Sequence, residues 1–186
     1  MRKLLKGGDG SRRRKPPQDG GGNFLESFTR GGARIGNNLT FAEMQKVDAD
    51  LSKYGIYPGK TAGTLPERVT AKWLIDHNYN YGGEGYNYNG ADWGFQIPVF
   101  GGRDGGGGGG VADFYISSKV LSPDGGIILP QGAYWHKQLA NAARDDALYL
   151  RYQAAGYKLL VMWDYQALNQ GELDYVMTNF LGGGSQ

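Results

Sequence analysis

The stretch that decides the fold runs from Val111 to Trp163. It reads VADFYISSKV at 111–120, SPDGG at 122–126, IIL at 127–129, LANAARDDALYLRYQAAG at 139–156 and KLLVMW at 158–163. Residues that favour strands on both sides of a Ser-Pro-Asp-Gly-Gly turn predict a β-hairpin. The next segment predicts an amphipathic helix ended by Gly156, followed by an apolar strand. A strand, a crossover helix and a strand imply a parallel pair, so the predicted class is α/β with a mixed β-sheet flanked by helices.

The apolar stripe predicted for this helix has members spaced by four, four, three and four residues: Leu139, Ala143, Ala147, Leu150 and Ala154. Elsewhere the patterns predict a helix from Thr40 to Tyr54, a helix from Thr64 to about His77, a strand over Trp93–Val99 and a last helix over Glu172–Leu181. Thr40 and Glu43 match a capping box. Six glycines, Gly105 to Gly110, are predicted to connect two strands of a hairpin.

Charge is distributed unevenly along the chain. The net charge is +2 over 186 residues, but residues 1–34 hold nine Lys/Arg and three Asp/Glu, a net +6, and the rest carries a net −4. Within this basic, glycine-rich tail lies the run Arg12, Arg13, Arg14 and Lys15, which can bury little apolar surface and can neutralise phosphates. The tail is therefore expected to be disordered alone and to bind nucleic acid, or to act only as a solubilising leader.

Several function classes are excluded by composition and spacing. The chain has no cysteine, which excludes a disulfide framework and a structural zinc site built on thiolates. A P-loop is excluded because Gly55 and Gly59 are separated by three residues instead of four and follow a helix. No apolar run is long enough to cross a bilayer, so we expect a soluble, intracellular protein without a membrane partner.

Two residues stand out as candidates for chemistry. Asp113 lies inside an otherwise apolar strand, where an acidic side chain is unfavourable unless it is paired or binds a metal. His136 follows an apolar strand, at a position where α/β folds present functional groups. Together they suggest a divalent-cation site suited to phosphodiester hydrolysis. The alternative is a buried aspartate that backbone donors satisfy, and His77, at a helix end, is predicted to be structural.

Three segments carry a resemblance to a known family. They are Val111–Phe114, Gln131–His136 and the run from Asn141–Asp145 through Gly156–Asp164. In residue types and spacing they resemble the very-short-patch repair (Vsr-like) endonucleases of the PD-(D/E)xK, restriction-endonuclease-like superfamily. Trp93–Gln96 and the glycines before Asp113 also resemble related phage nuclease-like proteins of this superfamily. The resemblance implies a restriction-endonuclease-like core over residues 64–181, preceded by a helix and loop at 39–63 and the tail at 1–38.

The resemblance also implies roles for individual residues. Asp113 would bind the catalytic Mg²⁺ or Mn²⁺, with Gln131 standing where the superfamily has a second acidic residue. His136 would activate the attacking water, and Glu67 would orient that base or a metal-bound water. Lys137 would contact a phosphate, as would Arg144 and the basic tail.

The sequence therefore predicts a Mg²⁺-dependent DNA endonuclease, cytoplasmic or nucleoid-associated, with phage-encoded proteins among its relatives. The alternative is a nuclease fold without catalysis, retained as a DNA- or RNA-binding or structural component of a ribonucleoprotein or viral particle. Gln131 and the Arg/Gly tail favour this alternative, whereas the joint presence of Asp113, Glu67 and His136 favours the enzyme.

Overall fold

The computed structural model describes residues 40–56, 63–102, 109–131 and 139–182. In chain order its elements are helix α1 (Phe41–Ser52), helix α2 (Leu65–Asp76), strand β1 (Tyr81–Glu84), a 3₁₀ turn (Gly85–Asn87), strands β2 (Trp93–Val99), β3 (Gly110–Ile116) and β4 (Gly126–Gln131), helix α3 (Leu139–Ala154), strand β5 (Lys158–Trp163), a short helix α4 (Asp164–Ala167) and helix α5 (Gln170–Gly182).

In this part of the chain the strands form one mixed sheet in the order β1-β2-β3-β4-β5. Strands β2, β3 and β4 are antiparallel neighbours, whereas β4 and β5 are parallel and joined through α3. Strand β1 adds a second parallel pair beside β2. The predicted α/β class with a mixed, helix-flanked sheet and a crossover helix is confirmed.

Helices pack on both faces of the sheet. Successive side chains of a strand point to opposite faces, so each strand contributes to both. Phe114 and Ile128 point into the larger core, which they share with residues of α1, α2 and α5. Ile127 and Leu129 point the other way and pack against Tyr152 of α3 in a smaller cluster. The two faces of one sheet therefore carry two separate apolar clusters.

Local sequence signals predicted several elements correctly. Strands β2 and β5 have the predicted bounds, and Thr40 and Glu43 form the predicted capping box at the start of α1. Strand β3 is shorter than the prediction of a strand to Val120. It ends at Ile116 because the chain turns at Ser117, whose carbonyl accepts hydrogen bonds from two backbone N–H groups three and four residues later.

The predicted core face of α3 was wrong. Ala143, Ala147 and Ala154 are exposed, and Leu150 is 67% exposed. The neighbouring stripe of Leu148, Tyr149 and Tyr152 packs on the sheet instead, and Tyr152 is fully buried. Tyrosine rings cover far more apolar area than alanine methyl groups, so this stripe gains more by burial.

Candidate functional site

The structure describes only part of the predicted site. Asp113 lies on β3, Gln131 ends β4, Glu67 lies in the first turn of α2, and Arg144 is exposed on α3. His136 and Lys137 lie outside the described residues, as do Arg12, Arg13, Arg14, Lys15 and most of the glycine run.

Asp113 lies where two neighbouring strands separate. Pairs between β2 and β3 extend along the whole of β3, to Val99↔Gly110. Pairs between β3 and β4 reach only Phe114↔Ile128. Asp113 is the next residue after the last of these pairs, so it lies where β3 and β4 stop pairing.

The pKa of Asp113 is raised from the usual value near 3.8 to about 8. Burial is the main cause, because the carboxyl group is largely shielded from water although the residue keeps some exposure. The carboxylate of Glu67 raises the pKa further and that of Asp145 adds to it, whereas a hydrogen bond from Gln96 lowers it. Asp113 is therefore mostly protonated at neutral pH when no cation is bound.

Gln96 is the direct hydrogen-bond partner of Asp113. Its Nε2 donates to Oδ1 of Asp113 at 3.1 Å across the β2–β3 pair. The backbone of Gln96 is unusual, since its φ of +52° lies in the left-handed region although it is within a strand. For a residue other than glycine this conformation costs on the order of 1–3 kcal/mol. Sequence reasoning missed this residue because nothing in its type reports its backbone conformation.

Glu67 has a structural role as well as a place in the site. Its Oε2 accepts the backbone N–H of Thr64 at 2.5 Å, which caps α2. The side chain is buried, with 8% exposure, and Gly63 leaves room for its carboxylate. Burial raises the pKa of Glu67, while hydrogen bonds from Thr64 and Gly63 oppose that shift. The carboxylate of Glu67 lies close enough to Asp113 to raise the pKa of Asp113.

Two tyrosines of α3 extend the site beyond the predicted residues. The hydroxyl groups of Tyr149 and Tyr152 are buried, and neither has a hydrogen-bond partner among the described residues. Burial raises the pKa of Tyr152 to about 12, and the charge of Asp113 contributes to that shift. The pKa of Tyr149 is also raised, first by burial and then by Asp145 and Asp113. The i, i+3 spacing of the two tyrosines was the available sequence signal.

Gly110 explains how Tyr152 approaches the sheet so closely. A Cβ atom at Gly110 would stand 3.0 Å from the hydroxyl oxygen of Tyr152 and still closer to the side chain of Leu148. A larger residue there would push α3 away from β3. The last residue of the glycine run thus has a packing role in addition to the connecting role that was predicted.

Three of the predicted site residues carry oxygen atoms of the kind that hard cations prefer. Carboxyl oxygens of Asp113 and Glu67 and the amide of Gln131 suit Mg²⁺ or Mn²⁺. A cation beside Asp113 would also relieve the repulsion between the carboxylates. In the described ranges no three His, Asp or Glu side chains are grouped closely enough to hold a metal by themselves. Asp113 would therefore bind a cation together with amide or backbone oxygens.

The predicted structural role of His77 is confirmed. Its ring stacks on Trp73 at 3.7 Å, and its Nδ1 lies 2.8 Å from the carbonyl oxygen of Trp73. Asp174 of α5 accepts the indole N–H of Trp73 at 3.1 Å and lies 3.6 Å from Nε2 of His77. These contacts attach α5 to the end of α2, on the face of the sheet that carries the larger core.

The helices and the comparisons with known proteins were also checked for signs of function. None of the helices described is long and apolar enough to span a membrane. No protein-family model, no curated protein and no solved structure matches the chain.

Proposed function

We propose that the protein is a metal-dependent DNA endonuclease whose cation is bound at Asp113. The observation that carries the proposal is a shielded carboxyl group on β3, next to the residue where β3 and β4 stop pairing and within electrostatic range of the carboxylate of Glu67. It lies on a mixed sheet flanked by helices, the architecture that the resemblance to Vsr-like endonucleases of the PD-(D/E)xK superfamily implies.

A carboxyl group in this position needs an explanation beyond stability. Shielding an acidic group from water costs free energy, and a second carboxylate nearby adds to that cost. Strongly shifted acids of this kind occur at functional sites more often than elsewhere. Because Asp113 is mostly protonated at pH 7, it would exchange its proton for a divalent cation on binding.

The other predicted site residues would each have a role in hydrolysis. Gln131, at the end of β4, would supply an amide oxygen beside the carboxylate of Asp113. A divalent cation held there supplies positive charge against the negative charge that develops on the phosphate. His136 would accept a proton from the attacking water, because an imidazole can act as a base near neutral pH. The new P–O bond then forms as the bond to the leaving sugar oxygen breaks, and that oxygen takes up a proton.

Other residues would position the substrate and the base. Glu67 is fixed by its cap to α2, so its carboxylate can orient the base or a bound water without moving. Arg144 is exposed on α3 and would contact phosphate oxygens, and Lys137, which follows His136 in the sequence, would do the same. The basic run from Arg12 to Lys15 would add affinity that decreases as salt rises.

A second candidate is a nucleic-acid-binding protein without catalysis. It is favoured by the neutral amide of Gln131, where the superfamily has an acidic residue, and by the lack of a three-residue ligand group in the described ranges. Such a protein would bind DNA or RNA through its basic tail as part of a larger assembly. The two candidates differ in one result, which is cleavage.

The test is nicking of a supercoiled plasmid with Mg²⁺, with Mn²⁺ and with EDTA. Wild type is expected to nick only with a divalent cation, and Asp113→Ala and His136→Ala are expected to lose nicking while keeping their circular dichroism spectra. Asp146→Ala, which removes an exposed carboxylate of α3, is the matched control and should nick normally. Salt-sensitive plasmid binding without nicking would contradict the endonuclease and support the binding protein.

A further inference from the structure

Gln96 combines an unfavourable backbone with a direct contact to the site. Among the described residues, the non-glycine positions with positive φ are Asn78, Gln96 and Phe100. Asn78 lies two residues past the end of α2, and Phe100 directly follows the end of β2. Both therefore lie where the chain leaves a regular element. Gln96 lies inside a strand, where no turn requires the left-handed conformation.

The neighbours of Gln96 are paired regularly, which localises the distortion to one residue. Phe95 pairs with Phe114 on one side, and Ile97 pairs with Ala112 on the other. The ladder therefore keeps its register across the distorted residue. This register places Gln96 opposite Asp113, and its Nε2 donates to Oδ1 of Asp113 at 3.1 Å.

We propose that Gln96 is a positioning residue for the cation site: its amide holds Oδ1 of Asp113 so that Oδ2 is directed to the cation. This inference rests on the proposed function, because it assigns a role within the same site. The left-handed backbone of Gln96 occurs at the residue that contacts Asp113, and strained residues of this kind cluster at functional sites and ligand clamps. Residues that orient metal ligands typically change metal affinity by roughly 10- to 100-fold when they are replaced.

A purely structural role makes a different prediction. Gln96 could serve only to donate a hydrogen bond to a shielded carboxyl group. Its replacement would then lower the stability of the folded protein and leave the affinity of Asp113 for a cation unchanged. If Gln96 positions the carboxylate, its replacement weakens cation binding in a protein that is still folded.

The experiment is titration of the full chain with Mn²⁺, followed by electron paramagnetic resonance of the free ion. Gln96→Asn shortens the side chain beyond reach of Asp113 but tolerates the left-handed conformation. Gln96→Met keeps the length and removes the donor. Both are expected to bind Mn²⁺ roughly 10- to 100-fold more weakly than wild type, with unchanged circular dichroism spectra. Asn78→Gly, which changes a left-handed residue away from the site, should bind as wild type does.

The outcomes separate the inference from the function on which it rests. If wild type binds Mn²⁺, Asp113→Ala does not, and Gln96→Asn binds as tightly as wild type, the role of Gln96 is overturned while the cation site stands. If wild type itself does not bind Mn²⁺, the cation site and the positioning role are both overturned. If Gln96→Met fails to fold, Gln96→Asn carries the test alone, because its backbone preference matches the native conformation.

Discussion

The two faces of the sheet are lined by different kinds of side chain. The face that packs on α1, α2 and α5 is lined by large apolar side chains, and the ring of Phe114 contacts Phe95 and Trp93 there at centroid distances of 5.1 and 5.7 Å. The face toward α3 holds Asp113 and the hydroxyl of Tyr152, which has no hydrogen-bond partner in the part of the chain that the structure describes. Natural proteins break such rules mainly at functional sites, so the difference separates the part of the fold that gives stability from the part that is available for chemistry.

The largest expected effect on stability comes from the face that packs on α1, α2 and α5. Phe114→Ala should destabilise the protein by about 3–5 kcal/mol, because it removes a fully buried ring from the larger core and leaves a cavity. Urea denaturation monitored by circular dichroism measures this loss. A loss below about 1 kcal/mol would mean that the core is able to close around the missing ring, and would remove the contrast between the faces.

The neighbouring residue on the same strand should behave in the opposite way. Raising the pKa of Asp113 to about 8 favours the folded state below pH 4, and this contribution is lost as pH rises toward 8. Asp113→Asn has no proton to lose, so its stability relative to wild type should rise by roughly 3 kcal/mol between pH 5 and pH 7. Urea denaturation at a series of pH values, without divalent cations, measures the difference. A constant difference across this range would show that the Asp113 carboxyl ionises normally.

A smaller effect on stability is expected at Tyr152, on the face toward α3. Tyr152→Phe removes a buried hydroxyl that lacks a partner among the described residues, so stability should rise by about 1 kcal/mol. Tyr157→Phe, a half-buried tyrosine in contact with Tyr152, is the control and should change stability little. Thermal unfolding of the three proteins compares them. A loss of stability in Tyr152→Phe would mean that its hydroxyl is satisfied in solution.

The smallest expected effect concerns the outer face of α3. Leu150→Ala should change stability by less than about 0.5 kcal/mol, because the side chain is 67% exposed. Leu148→Ala, on the packed stripe beside Gly110, should cost about 2 kcal/mol. Equal effects of the two leucine replacements would contradict the orientation of α3.

Most of the fold could be predicted because local signals and fold agree. The capping box of Thr40 and Glu43 marked the start of α1, and the apolar run of β5 marked its bounds. Strand β1 was missed because its sequence, Tyr-Gly-Gly-Glu, has little strand preference of its own. It forms by pairing with β2, which is a long-range contact that no local window contains.

The candidate site could be predicted only in part. Asp113 was identifiable because an acidic residue inside an apolar strand breaks the pattern of its neighbours. Gln96 was not, because its role depends on a backbone angle and a cross-strand contact. The packed face of α3 was misassigned because two adjacent stripes fit helical spacing, and only the facing sheet decides between alanines and tyrosines. The roles of His136 and Lys137 stay predictions from the sequence.

The most direct measurement of whether Asp113 binds a divalent cation is calorimetric titration of wild type with Mn²⁺ at pH 7. Repeating it in two buffers with different ionisation enthalpies gives the number of protons released. Because Asp113 is mostly protonated before binding, we expect binding with release of close to one proton, and neither binding nor release in Asp113→Asn. Binding of equal strength in Asp113→Asn, or no binding by wild type, would contradict the assignment of Asp113 as the cation ligand.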